Sequence, residues 1–133
     1  MTELRVLYVD DEPDIREIAL LSLQLDPGID CQAVDSGSKA IDLLSTEHHW
    51  KPDLILLDVM MPQMDGPTTL AKLRELPEIA DTPVVFMTAR AQGFEQDRFL
   101  RLGAAGVIAK PFDPMTLATQ LRAYYGSAAK HHE

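Results

Sequence analysis

Five short apolar runs, each followed by a stretch with helical periodicity, constrain this chain more than any other feature. The runs are Leu4–Val9 (LRVLYV), Ile29–Val34 (IDCQAV), Leu54–Leu57 (LILL), Val84–Met87 (VVFM) and Val107–Ala109 (VIA). Each is of strand length and too short for a buried helix. Between them, Ala40, Ile41 and Leu44 share one helix face, and Leu117, Leu121 and Tyr124 recur at i, i+4 and i+7. Pro13, Pro67 and Pro114 each follow a residue suited to a helix entrance, and a missing N–H costs nothing in a first helical turn. The first helix is expected to end at Asp26-Pro27-Gly28 and the third before Pro77. The fourth, Phe94 to Leu102, has the least regular apolar face and is expected to end at Gly103.

Strands alternating with helices predict an α/β fold with a mostly parallel sheet. Strands covered on both faces read as continuous apolar runs, so LILL and VVFM belong in the centre. IDCQAV alternates and belongs at an edge. The order 2-1-3-4-5, a flavodoxin-like doubly wound (βα)5 arrangement, satisfies both. The 133 residues suit one domain, with no linker or repeat. The domain is expected over residues 1–126, with a disordered tail over 127–133.

A net charge of −9 argues against a nucleic-acid surface and is compatible with divalent cations, with basic partners, or simply with solubility. Cys31 is the only cysteine, so an internal disulfide and a cysteine-based zinc cluster are excluded. No apolar run approaches the roughly 20 residues of a membrane helix. The start, Met1-Thr2-Glu3-Leu4-Arg5, lacks signal-peptide character, so a cytoplasmic location and no membrane association are expected.

Ligands of open parallel sheets bind at the carboxyl ends of the strands. There the first run delivers Asp10-Asp11-Glu12, the third Asp58, the fourth Thr88 and the fifth Lys110; the second delivers Asp35-Ser36-Gly37, a helix cap. With neighbouring strands about 4.8 Å apart, Asp10 and Asp11 flank Asp58 on one side and Thr88 on the other, with Lys110 reaching in from two strands away. Crowded carboxylates repel one another, and a divalent cation relieves that repulsion. Mg²⁺ suits few oxygen ligands shared with a phosphoryl group. In that arrangement Asp58 is a nucleophile, and Lys110 and Mg²⁺ neutralise charge on a transferring phosphoryl group. Singly, each residue has a plainer explanation: helix-terminus acids, a turn aspartate, a strand-forming threonine, a solvated lysine. Four strands supplying these types in a mutually useful order is the stronger signal.

The stretches VDDE (Val9–Glu12), LLDVMMPQMDG (Leu56–Gly66), FMTA (Phe86–Ala89) and GAAGVIAKPF (Gly103–Phe112) resemble the receiver domain of two-component response regulators, from about Leu4 to Tyr125. The resemblance implies that Asp58 accepts phosphate from a histidine kinase or histidine phosphotransfer protein. It implies Mg²⁺ on Asp11, Asp58 and the main-chain carbonyl of Met60, with Asp10 acting through water. Thr88 and Lys110 would hold the phosphoryl oxygens, and Lys110–Pro111 would be cis. The downstream partner would dock on the face of helix 4, strand 5 and helix 5. Such a protein is not an enzyme toward external substrates; it catalyses only its own phosphorylation and dephosphorylation.

One position departs from the family. Val107 stands where members commonly carry Tyr or Phe, a ring that swings inward on phosphorylation. That bears on switching, not on the phosphoryl site. Pro62 and Gly66 are expected to shape the loop after Asp58, Gly66 through its backbone freedom. Met60, Met61 and Met64 are read as packing residues, Phe112 as core, and His48 and His49 as surface. Two other functions stay open: a receiver-like binding module not controlled by phosphorylation, and a Mg²⁺-dependent phosphohydrolase. The second is disfavoured by Met60, which stands where such enzymes usually carry a general acid.

Overall fold

The apolar runs form one five-stranded parallel sheet in the order β2-β1-β3-β4-β5. A computed structural model describes residues 3–46 and 50–131; His48 and His49 lie outside the described residues. The strands are β1 (Leu4–Val9), β2 (Ile29–Val34), β3 (Leu54–Asp58), β4 (Val84–Thr88) and β5 (Gly106–Ala109). The helices are α1 (Pro13–Leu23), α2 (Gly37–Ser45), α3 (Gly66–Leu73), α4 (Gly93–Arg101) and α5 (Leu117–His131). All five residues of β3 and of β4 are buried, whereas β2 is only half-buried, as expected of two central strands and an edge. Both central strands run one residue beyond their apolar stretch, so Asp58 and Thr88 are the last residues of the sheet itself.

Period-two alternation divides the core between the two faces of the sheet. Leu7, Val9, Ile55, Leu57 and Phe86 pack with Leu70 and Leu73 of α3 and Phe99 of α4. Val6, Tyr8, Leu56, Met87 and Ile108 pack with Ala19 and Leu23 of α1 and Leu117 and Leu121 of α5. Val107 is buried in the first of these layers beside Phe86 and Phe99, whose ring centroids lie 5.1 Å apart. It fills core rather than presenting a surface group. Phe112 packs partly buried against the second layer.

Local chemistry sets the helix starts. Pro13 opens α1, and Ser36 caps α2 by accepting from the Lys39 N–H at 3.1 Å. Asp65 caps α3 through the Thr68 N–H at 2.9 Å. Pro114 does not begin α5. It lies in a turn in which the N–H groups of Thr116 and Leu117 both bond to Asp113 O at 3.1 Å, and the helix starts only at Leu117. At the other end α5 continues to His131, so the tail expected to be disordered from residue 127 is helical through 131. The irregular face of α4 also has a plain cause. Phe99 is buried, while Phe94 and Leu102 are exposed. Gly103 follows that helix with φ +104°, a conformation that favours glycine.

Candidate functional site

Parallel register brings the ends of four strands into line. Val9 pairs with Leu57, Asp58 with Met87, and Thr88 with Ala109, so the residues just beyond β1 and β5 flank Asp58 along the sheet's carboxyl rim. The rim site lies where the order reverses between β1 and β3, the usual ligand position in doubly wound sheets.

Asp58 is buried, 2% exposed, and Asp10 is fully buried. The carboxylate oxygens of Asp10, Asp11, Glu12 and Asp58 include a set lying within 4.8 Å of one another. Lys110 Nζ sits among them, 3.2 Å from Asp10 Oδ2, 3.1 Å from Glu12 Oε1 and 3.4 Å from Asp58 Oδ2. Burial and the neighbouring Asp10 push the Asp58 carboxyl up to about 6, with Lys110 pulling the other way. Burial pulls the Lys110 ammonium down, but Asp58, Glu12 and Asp10 outweigh it and hold its pKa above the ordinary value.

The carboxylates are not equivalent. Asp10 Oδ1 accepts from the Glu12 N–H at 3.0 Å. Its Oδ2 accepts from the Tyr8 hydroxyl at 2.5 Å and from Lys110 Nζ at 3.2 Å. Asp11 Oδ1 and Asp58 Oδ2, by contrast, are buried and accept no hydrogen bond of good geometry among the described residues, Asp58 Oδ2 having only its 3.4 Å ion pair with Lys110. An ionised oxygen in that condition is costly. Two such oxygens inside a cluster of hard carboxylate ligands fit a divalent cation that prefers oxygen.

The remaining predicted residues fall at or beside this cluster. Thr88 closes β4, buried, with its Oγ1 accepting from the Arg90 N–H at 3.1 Å. The Lys110 N–H bonds to Thr88 O at 2.9 Å, and the Lys110–Pro111 peptide is cis. The three methionines after Asp58 separate. Met61 is core, Met64 packs partly buried near Gly37, and the Met60 side chain is 77% exposed and packs on nothing that would bury it. Gly66 is required by proximity rather than by dihedral freedom. A Cβ there would lie 2.7 Å from Asp58 O and 2.9 Å from Val59 Cα. The left-handed residue of this loop is Gln63, at φ 69°.

Three residues at the site were not anticipated: Tyr8, Glu12 as a lysine partner, and Arg16, whose Nη1 donates to Asp10 O at 2.8 Å. The signal for Tyr8 was present, because two-residue spacing on β1 places it on the face of Asp10. Arg16 lies one helical turn past Glu12 and so turns back toward the end of β1.

A doubly wound parallel sheet in the order 2-1-3-4-5, with an acidic pocket and a lysine at its switch point, defines a flavodoxin-like α/β protein. The family is explicit in the sequence: the chain belongs to the response regulator receiver domains, whose family model matches residues 6–122. It is 36% identical over 119 residues to the response regulator Rre1 of Synechocystis, covering 90% of this chain and 50% of that protein. It is 32% identical over 124 residues to a 14.6 kDa protein of Leptolyngbya boryana, covering 93% of this chain and 92% of that one. The chain thus spans about half the length of most of the curated relatives it matches. Among solved structures, the chemotaxis response regulator CheY4 of Vibrio cholerae superposes with a TM-score of 0.81 at 29% identity, covering 92% of this chain and 99% of that one. The receiver domain of the Francisella response regulator 1452 gives 0.80 at 27% identity, covering 94% and 98%. Among the described residues, no helix is long and apolar enough to cross a membrane.

Proposed function

We propose that Asp58 accepts a phosphoryl group from a histidine kinase or histidine phosphotransfer protein in a Mg²⁺-dependent reaction, and that the chain signals by protein–protein contact. The observation that carries this reading is the pairing of two buried, under-partnered carboxylate oxygens: Asp11 Oδ1, which accepts no hydrogen bond among the described residues, and Asp58 Oδ2, whose contact is the 3.4 Å ion pair with Lys110. Asp11, Asp58 and the main-chain carbonyl of Met60 would hold Mg²⁺ directly, with Asp10 acting through water. The ion supplies charge neutralisation for the incoming phosphoryl oxygens.

The chain's own residues do the rest. An Asp58 carboxylate oxygen attacks phosphorus as the donor's P–N bond breaks. Lys110 turns from its resting carboxylate partners to a phosphoryl oxygen, and the Thr88 hydroxyl donates to another. Phosphorylation adds about −1.5 to −2 charge at this rim. Movement of Thr88 and Lys110 biases the face formed by α4, β5 and α5, where a downstream partner docks. With Val107 buried in place of a mobile ring, the signal travels through Thr88 and the loop after it. Conversion to a generic phosphohydrolase has no support here, because position 60 offers an exposed methionine and no general acid.

The test is intact-mass analysis after incubation with Mg²⁺ and acetyl phosphate, comparing wild type with Asp58→Asn. One phosphoryl adduct is expected in the wild type alone, abolished by chelating the metal. Neither an adduct nor a change in the site's NMR signals with Mg²⁺ and beryllofluoride would overturn the proposal and favour an unphosphorylated binding module.

A further inference from the structure

Tyr8 lies two residues before Asp10, fully buried in the layer between the sheet and α1 and α5. A phenylalanine would fill this apolar site without burying a polar atom, and a buried phenol is costly unless its hydroxyl finds a partner. The hydroxyl finds Asp10, donating to Oδ2 at 2.5 Å, with Met87 Sδ 3.9 Å away. It is therefore spent on the one acid of the cluster whose two oxygens are both already engaged.

Asp10 is held by donors from three segments: the core of β1 through Tyr8, the β1–α1 turn through the Glu12 N–H, and the end of β5 through Lys110. Asp11 Oδ1 accepts no hydrogen bond among the described residues, and Asp58 Oδ2 has only the longer 3.4 Å ion pair with Lys110. If Lys110 leaves for a phosphoryl oxygen, Tyr8 becomes the side chain that still occupies Asp10 Oδ2. From this division we infer that Tyr8 is a positioning residue that sets ion selectivity. By occupying Asp10 Oδ2 it keeps Asp10 from becoming a third direct carboxylate ligand.

The consequence concerns which cation the pocket accepts, and it rests on the metal-binding reading given above. Mg²⁺ takes near-ideal octahedral geometry, few carboxylates and retained waters; Ca²⁺ takes more oxygens in flexible arrangements. Freed from the phenol, Asp10 offers an additional carboxylate oxygen beside Asp58 in a less rigid setting. Tyr8→Phe preserves the ring and removes only this bond. Partners that orient metal ligands typically govern affinity by about 10-fold or more. The expected result is a shift of the Ca²⁺-to-Mg²⁺ affinity ratio by about 10-fold toward Ca²⁺. A merely structural tyrosine would weaken both ions together and leave the ratio unchanged.

The experiment is calorimetric titration of each ion into the full chain, wild type beside Tyr8→Phe, with the fold checked by amide NMR. A wild type that binds neither ion sinks the metal reading itself and this inference with it. A wild type that binds Mg²⁺ beside a folded variant with the same ratio sinks the role of Tyr8 alone. Should the variant fail to fold, the wild-type hydroxyl proton of Tyr8 decides. Its hydrogen-bonded NMR resonance is expected to survive Mg²⁺ saturation, and its loss on adding the ion would overturn the inference.

Discussion

Arg122 grips both carboxylate oxygens of Asp26, Nε on Oδ2 at 2.5 Å and Nη2 on Oδ1 at 3.0 Å, and so fastens α5 to the turn after α1 across 96 positions of sequence. The bond to Arg122 is the main reason that the Asp26 carboxyl lies below its ordinary range. The pair is two-pronged and mostly shielded, with 29% and 15% of the side chains exposed, which sets it apart from a loose surface ion pair. Arg122→Ala is expected to cost about 1–2 kcal/mol in denaturant unfolding at pH 7. A depressed carboxyl pKa contributes stability above the unfolded value and loses it as pH falls through the folded one. The difference between wild type and variant therefore shrinks below about pH 4. A constant difference down to pH 2 would contradict this.

Asp58 behaves in the opposite sense. Its carboxyl is pushed up to about 6, so without metal the folded state holds a proton that the unfolded chain gives up near its ordinary value of 3.8. The stability associated with that proton is complete below about pH 4 and is lost as pH rises through about 6. In chelator, Asp58→Asn should be more stable than wild type at pH 7.5, by on the order of 2 kcal/mol, and the two should converge near pH 4. Unfolding curves at four pH values in this range, overlapping throughout for the two proteins, would refute the assignment.

The same proton competes with a cation. Apparent Mg²⁺ affinity is expected to fall as pH drops below about 6, because protonated Asp58 is a poor ligand. Mg²⁺ should raise the melting temperature of wild type at pH 7.5, since a ligand that binds only the folded state stabilises it, and should do so far less for Asp11→Asn. Equal melting shifts in both proteins would remove Asp11 from the proposed ligand set.

Lys110 faces three carboxylates at 3.1–3.4 Å, and replacing it leaves them uncompensated. Lys110→Ala should bind Mg²⁺ several-fold more tightly, about 3- to 10-fold, because a resident cation has been removed. It should nevertheless accumulate less Asp58 adduct from acetyl phosphate, because a donor to the phosphoryl oxygens is gone. Titration calorimetry and intact mass read the two effects separately, and parallel losses in both would point to simple disruption.

Gly66→Ala tests the loop beneath the site. Its Cβ would meet Asp58 O at 2.7 Å and Val59 Cα at 2.9 Å, both backbone atoms that cannot swing aside. A cost of about 1–3 kcal/mol is expected, with reduced adduct formation as the end of β3 shifts. Full stability together with full phosphorylation would show that the loop relaxes freely.

Much of this was legible along the chain because it is local. The bounds of β1 and β2, and β2's place at the edge, follow from runs and alternations of a few residues. So does the delivery of Asp10, Asp58, Thr88 and Lys110 to one rim. The resemblance in the motifs then identified the family.

What the sequence concealed is what depends on close approach between distant residues. That Gly66 is needed for space, that the left-handed turn falls on Gln63, that Met60 points outward while Met61 packs, and that Pro114 precedes α5 by a turn are outcomes of packing and backbone bonding. The inequality of the carboxylates arose there too. Periodicity supplied four acids and a lysine, but only the assembled sheet decided that Tyr8, Glu12 and Lys110 would satisfy Asp10 and leave Asp58 Oδ2 a single long ion pair and Asp11 Oδ1 no hydrogen bond among the described residues. A repeat of two or 3.6 residues fixes which face a side chain takes; which oxygen meets a donor 100 positions away is fixed by strand register and ångström-scale distances that no local pattern encodes.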